Sequence, residues 1–229
     1  DGGAGTDQLS FNGLNVSGFT GSGTAGINLT GWETINVGGA GTLKLTGNLF
    51  ESGANAQLNI LAGSTLDLKG DSPGVYAING SLSNAGTVTF ADGAGDDHTT
   101  VTGNFAGSGA SRMLLDTVFD GDSSATDRLT VGGNVSGSTT LTIDQVGGSG
   151  AQTVNGIQIV QVDGSSDSSN FSWDIGNLQV GNYQYVLQQG SAIDTNDWYL
   201  VSTAPVVPNE PETPAKPTKP KKPNVYQPG

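Results

Sequence analysis

Gly2 to Ser10 reads GGAGTDQLS and fits the calcium-binding nonapeptide G-G-x-G-x-D-x-U-x at every defined position. Calcium at such a site draws half its oxygen ligands from each of two adjacent copies, so a site needs tandem repeats. Residues 11–19 read FNGLNVSGF and supply no second copy. The glycines are therefore expected to serve as turn residues of positive φ ahead of a strand led by Leu9 and Phe11. A second acidic stretch, Asp92-Gly93-Ala94-Gly95-Asp96-Asp97, lies far downstream and lacks the following aliphatic residue. Three carboxylates on one loop repel each other unless a cation or water screens them. Asp92, Asp96 and Asp97 are thus a better cation candidate than Asp7, although neither amounts to an assigned metal site.

Catalytic chemistry finds little purchase. His98 is the sole histidine, and no G-x-S-x-G nucleophile elbow accompanies it. It is expected on the surface, in a loop before a strand. The absence of cysteine and of a histidine pair removes the usual zinc sites, and no phosphate-binding loop of the G-x-x-x-x-G-K-[ST] type occurs. One enzymatic reading remains open: a polysaccharide lyase or glycosidase built on many aspartates, with Arg112 or Arg128 as the basic group. No catalytic residue and no cofactor is assigned.

The elements that would hold these residues follow from composition. Thirty-seven of 229 residues are glycine, and Gly, Ser, Thr and Asn punctuate short apolar runs along the whole chain. No window carries apolar residues at helical spacing for long enough to make a helix, so the class is all-β. Up to residue 203 there are nineteen acids against four bases, while the remainder carries four lysines and two glutamates. An acidic body repels nucleic acid and anionic lipid, so neither is an expected partner. The acids are read chiefly as a solvated surface that keeps a strand-rich chain soluble. Without cysteine, the chain gains no stability from disulfides. No apolar run approaches the ~20 residues of a membrane-spanning helix, and the opening turn-like motif suggests a fragment of something longer.

Three segments share a pattern: Thr42-Leu43-Lys44-Leu45-Thr46-Gly47, Thr65-Leu66-Asp67-Leu68-Lys69-Gly70 and Thr87-Val88-Thr89-Phe90-Ala91-Asp92. Leu43, Leu66 and Val88 hold the same place in each, and the steps between them are nearly equal. Ile27-Asn28-Leu29 and Ile35-Asn36-Val37 fill the intervals. Alternating apolar positions imply one buried face per strand. A loose repeat of about 20–25 residues predicts a parallel β-helix in which Leu43, Leu66 and Val88 stack as one interior row. Uneven insertions leave a β-sandwich possible for parts of the region.

From about Phe105 the period blurs and the aromatics gather. Six of the fifteen lie between 171 and 199: Phe171, Trp173, Tyr183, Tyr185, Trp198 and Tyr199. Large rings bury more area per residue than Thr or Val, so the densest core and a stabilising end-cap are expected here.

Five blocks in this half resemble bacterial autotransporter passengers of the pertactin and AIDA type. They are Gly121 to Val131 (GDSSATDRLTV), Gly147 to Thr153 (GGSGAQT), Gly156 to Val162 (GIQIVQV), Gly181 to Tyr185 (GNYQY) and Asp197 to Leu200 (DWYL). The resemblance implies a right-handed parallel β-helix over 1–105, an autochaperone or capping region over 106–203, and a linker over 204–229. It further implies that the six aromatics form the autochaperone core, which helps the rest to fold. Pro205, Pro208, Pro211, Pro214, Pro217, Pro220 and Pro223 recur every third residue, which favours extended polyproline II in that linker. By resemblance the partner is an outer-membrane barrel of the same polypeptide, absent from this sequence, with cell-surface glycans, proteins or further copies as targets of adhesion. The implied location is the surface of a Gram-negative bacterium, reached through the periplasm.

Overall fold

A computed structural model describes residues 2–20, 27–29, 31–53, 55–70 and 74–203. The proline-rich linker expected over 204–229 lies outside the described residues. Among those described there are twenty-one strands and no helix.

The strands wind into a right-handed parallel β-helix with three faces. The first sheet stacks Gln8–Asn12, Thr34–Gly38, Ala56–Ile60, Gly80–Asn84, Phe105–Gly107 and Val135–Gly137, all parallel. The second runs through Asn15–Thr20, Thr42–Leu45, Thr65–Asp67, Thr87–Thr89, Arg112–Val118 and Thr139–Gly147 to Phe171–Trp173. The third begins at Val75–Ile78 and continues through His98–Val101 and Arg128–Val131 to Ile157–Val162.

The interior row expected from the spacing is present. Leu43 pairs with Leu66 and Leu66 with Val88, and the row runs on through Met113 and Leu141 to Trp173. A parallel row on the first sheet joins Ile35, Leu58, Leu82, Phe105 and Val135. Each side chain inside a row is covered from the coil above and the coil below, which is why one coil alone would not be stable; Val135 and Trp173 end their rows. Full burial of a Leu or Met contributes about 1.5–3 kcal/mol, and the rows make this gain continuous along the axis.

Coil length explains why the period fades in the sequence. The coil from Leu66 to Val88 is the shortest in the row, and each later coil, to Met113, to Leu141 and to Trp173, is longer than the one before. The extra residues enter the turns, and the strand rows stay in register. Tight stacking also dictates residue type: a Cβ on Gly137, at φ 69°, would strike the carbonyl of Gly107 one coil below.

The parallel column ends in an antiparallel meander. Trp198–Thr203 pairs antiparallel with Ile157–Val162 on one side and with Tyr183–Gln189 on the other, and Asn177–Val180 closes the edge. A reversed strand cannot continue the winding of parallel coils, so it terminates the growing edge of the third sheet.

Candidate functional site

Most of the predicted aromatic residues converge where the column closes. Phe171, Trp173, Tyr185 and Trp198 are buried in one continuous hydrophobic cluster, and Tyr183 packs against it half-buried. Phe171 meets Trp198 edge-on at 5.3 Å between ring centroids. Tyr199 stands apart. It is buried, but it alternates with Trp198 and Leu200 and so faces the other side of the strand, where its hydroxyl donates to Asp197 at 3.1 Å.

Two further rings belong to the plug that residue-type clustering did not single out. Phe119 stacks on Trp173 at 6.2 Å and meets the edge of Tyr185 at 5.1 Å, while Phe105 stacks on Phe171 at 6.0 Å. The Tyr185 hydroxyl ties three stretches of backbone together. It lies 2.7 Å from the Asp120 carbonyl and 3.0 Å from that of Ala151, and it accepts the Ala151 N–H at 2.9 Å. Burial pushes its titration up, so it stays a donor throughout the neutral range.

The acids are not all a solvated surface, contrary to the expectation from composition. Asp97, Asp116 and Asp127 are 0–2% exposed and form a ladder of carboxylates bound to backbone amides. Asp97 accepts the Gly74 N–H at 2.6 Å, and its own N–H donates to Asp127 at 3.0 Å. Asp127 also accepts the Asp116 N–H at 2.7 Å, and Asp116 in turn accepts those of Asp92 and Gly93. Each carboxylate thus satisfies buried backbone amides, most of them at coil corners and one, that of Asp116, inside its strand past the point where pairing with Thr87–Thr89 ends. Burial is the main cause that lifts Asp127 to about 7, with the charges of Asp97 and Asp116 adding to it against its two amide bonds.

Asp122 works differently. On the surface side, it accepts the N–H groups of Val154, Asn155 and Gly156 at 2.8–3.1 Å, and these bonds hold its carboxyl below the usual range despite some desolvation.

The ladder has a signature in the sequence. Asp97 to Phe105 (DHTTVTGNF) and Asp127 to Val135 (DRLTVGGNV) repeat one coil apart. The asparagines of this repeat act at the next corner: Asn104 Oδ1 accepts the Asn134 N–H at 2.8 Å, and Asn134 Oδ1 accepts that of Ser165 at 2.9 Å.

Of the candidate cation and catalytic residues, Asp97, His98, Arg112 and Arg128 are drawn into the scaffold, while Asp92 stays exposed on its own loop. Gly3 and Gly5 have φ of 85° and 136° before the strand Gln8–Asn12, the turn conformation expected of them. Among the described residues no three acidic or histidine side chains converge on one point. His98 is half-buried in a cleft with Asp96, Ser124 and Arg128. Burial first, and Arg128 second, push its titration down, while its ring donates to the Thr126 carbonyl. Ser124 is tied into its own turn, donating to the Gly121 carbonyl at 2.6 Å. Arg112 pairs with Asp174 at 3.4 Å, and Arg128 donates to Gln158.

The stretch that contains the ladder and most of the plug matches a known family. Residues 78–187 match the family described as Autochaperone Domain Type 1. The chain is 31% identical over 202 residues to the probable autotransporter YfaL of Escherichia coli K12, covering 86% of this chain. It is 38% identical over 110 residues to the autotransporter adhesin AIDA-I of Escherichia coli, covering 47% of this chain. The chain belongs to the autotransporter passengers. This passenger region is also 31% identical over 193 residues to the uncharacterized protein YuaQ of Escherichia coli K12, covering 77% of this chain. It spans 14% of YuaQ, 14% of YfaL and 8% of AIDA-I, so it corresponds to a minor part of each relative.

Proposed function

We propose that this region is the stem and the intramolecular chaperone of a passenger displayed on the outer membrane of a Gram-negative bacterium. The aromatic plug and its antiparallel meander form first and then template the coils. The observation that carries this reading is how the last coils close: the third sheet ends in reversed strands whose Tyr185 and Trp198 pack with Phe105, Phe119, Phe171 and Trp173 in one cluster. A chain that emerges unfolded needs such a nucleus, because each later coil gains area only against one already in place. A chain without cysteine also forms no premature cross-links in the oxidising periplasm.

The kinetic test compares the two ends. Tyr185→Phe leaves the Asp120 and Ala151 groups short of a partner and should cost about 1–3 kcal/mol. Ile35→Val, in the first coils, should cost about 0.5–1.5 kcal/mol. If the plug is the nucleus, Tyr185→Phe slows refolding while Ile35→Val mainly speeds unfolding. The reverse pattern in stopped-flow chevrons would refute the assignment. The same pair of variants, placed in the full-length polypeptide, should differ in surface display in the same order.

A second reading, self-association between passengers, has one specific support. The outward positions of the first sheet are Gln, Ser, Asn, Thr and Ala, with no charge on any strand, on a body that is otherwise strongly acidic. Their side chains already bond between coils, as Asn59 does to Asn36 at 2.8 Å and Gln57 to Ser83 at 3.0 Å. Two like-charged bodies meet with least repulsion on this face. Asn36→Glu with Asn59→Glu should abolish concentration-dependent sedimentation; a wild-type protein that sediments as a monomer at all concentrations counts against this reading.

A further inference from the structure

A groove of about 450 Å³ lies beside the first coils, at the opposite end from the plug. Up to residue 203 the chain contains only two glutamates, Glu33 and Glu51, and both line this groove. So does Trp32, the one tryptophan that is not buried, since Trp173 and Trp198 are 6% and 3% exposed. The inner side of Trp32 packs against the hydrophobic cluster, which anchors the indole as a platform. Glu33 is oriented by the Asp7 N–H, which donates to its Oε2 at 2.6 Å. Glu51 is exposed and follows Phe50, a buried phenylalanine held at φ 64°. A bulky residue in the left-handed region is costly and is kept only where the surroundings impose it. Asn55 and Gln57 add amide groups, and no Lys, Arg or His is among the described lining residues.

We propose that this groove is a sugar-binding site for neutral or amino-bearing pyranoses. An indole face takes the C–H face of a pyranose and attracts an ammonium group, while two carboxylates accept from hydroxyl or ammonium donors. The same two carboxylates, with no cation beside them, reject uronic and sialic acids by like-charge repulsion. The site lies far from the folding nucleus, so it stands or falls independently of the chaperone reading.

The test is titration of the whole chain with glucosamine, N-acetylglucosamine and glucuronate, read by tryptophan fluorescence. Saturation with a Kd of ~1 mM is expected for glucosamine, with N-acetylglucosamine weaker and glucuronate without effect. Glu51→Gln should weaken glucosamine about tenfold at unchanged melting temperature, and Trp32→Ala should abolish the signal. Because Trp32 also packs on the core, Glu51→Gln keeps the test decisive if Trp32→Ala unsettles the first coils. Absence of saturation, equal response to glucuronate, or an unchanged Kd in Glu51→Gln would overturn the proposal.

Discussion

Phe119→Ala is expected to destabilise the protein by about 3–5 kcal/mol, the largest loss for any single ring of the plug. The side chain is fully buried and is the one ring that touches both Trp173 and Tyr185. Its backbone has no freedom to close the cavity. The Phe119 N–H donates to the Gly147 carbonyl at 3.0 Å and its carbonyl accepts the Gly150 N–H at 2.9 Å. Both glycines that flank this contact, Gly148 and Gly150, hold positive φ and tolerate no Cβ against the opposing backbone. A cavity that cannot collapse carries the full cost of lost contacts. Denaturant unfolding should show a lower midpoint at unchanged slope. In contrast, Phe11→Ala, at the half-buried first coil, should cost at most about half as much. A loss below about 1 kcal/mol for Phe119→Ala would mean that the plug repacks and does not act as one unit.

The column is legible in the sequence because its rule is local. An apolar residue at alternate positions with a glycine after it states which face is buried, and the near-equal steps from Leu43 to Leu66 and on to Val88 state which residues stack. The plug is legible in part, from the weight of aromatics between 171 and 199. Phe105 and Phe119 lie outside that window and are joined to it only by the lengthened coils that carry the row from Met113 to Leu141 and from Leu141 to Trp173. The buried acids are the least legible. An aspartate in a turn has the same local signature whether it faces water or a row of unpaired amides, and the choice is made by the neighbouring coil. Asp97 is buried because Gly70 and Gly74 bring their N–H groups to it from one coil below. Likewise Glu33 and Glu51, well separated in the chain, share a groove because the register sets Thr34 opposite Gln57.

The same ladder makes stability fall as pH rises from about 5 to 7. The folded-state value of Asp127, about 7, stands above the ordinary value of 3.8. Between those limits the folded chain holds a proton that the unfolded chain has lost, so the contribution is fully present below 3.8 and is gone above 7. One proton changes stability by about 1.4 kcal/mol per pH unit, so a decline of a few kcal/mol is expected across the window. Asp97 is shifted in the same direction, chiefly by burial, and adds to the slope. His98 opposes it. Its lowered value makes the unfolded state the stronger proton binder below 6.5, so its contribution rises with pH. The measurement is therefore made in His98→Gln, with urea midpoints at half-unit steps from pH 5 to 8. Asp127→Asn in that background should flatten the profile, and its absolute stability should drop as well, because a carboxamide offers one acceptor oxygen where two amides need one each. The slope carries the inference and the level does not. A His98→Gln protein whose midpoint stays flat or climbs over this range would show that the ladder holds its amides with all carboxylates charged, and that the burial of Asp127 is offset by its hydrogen bonds alone.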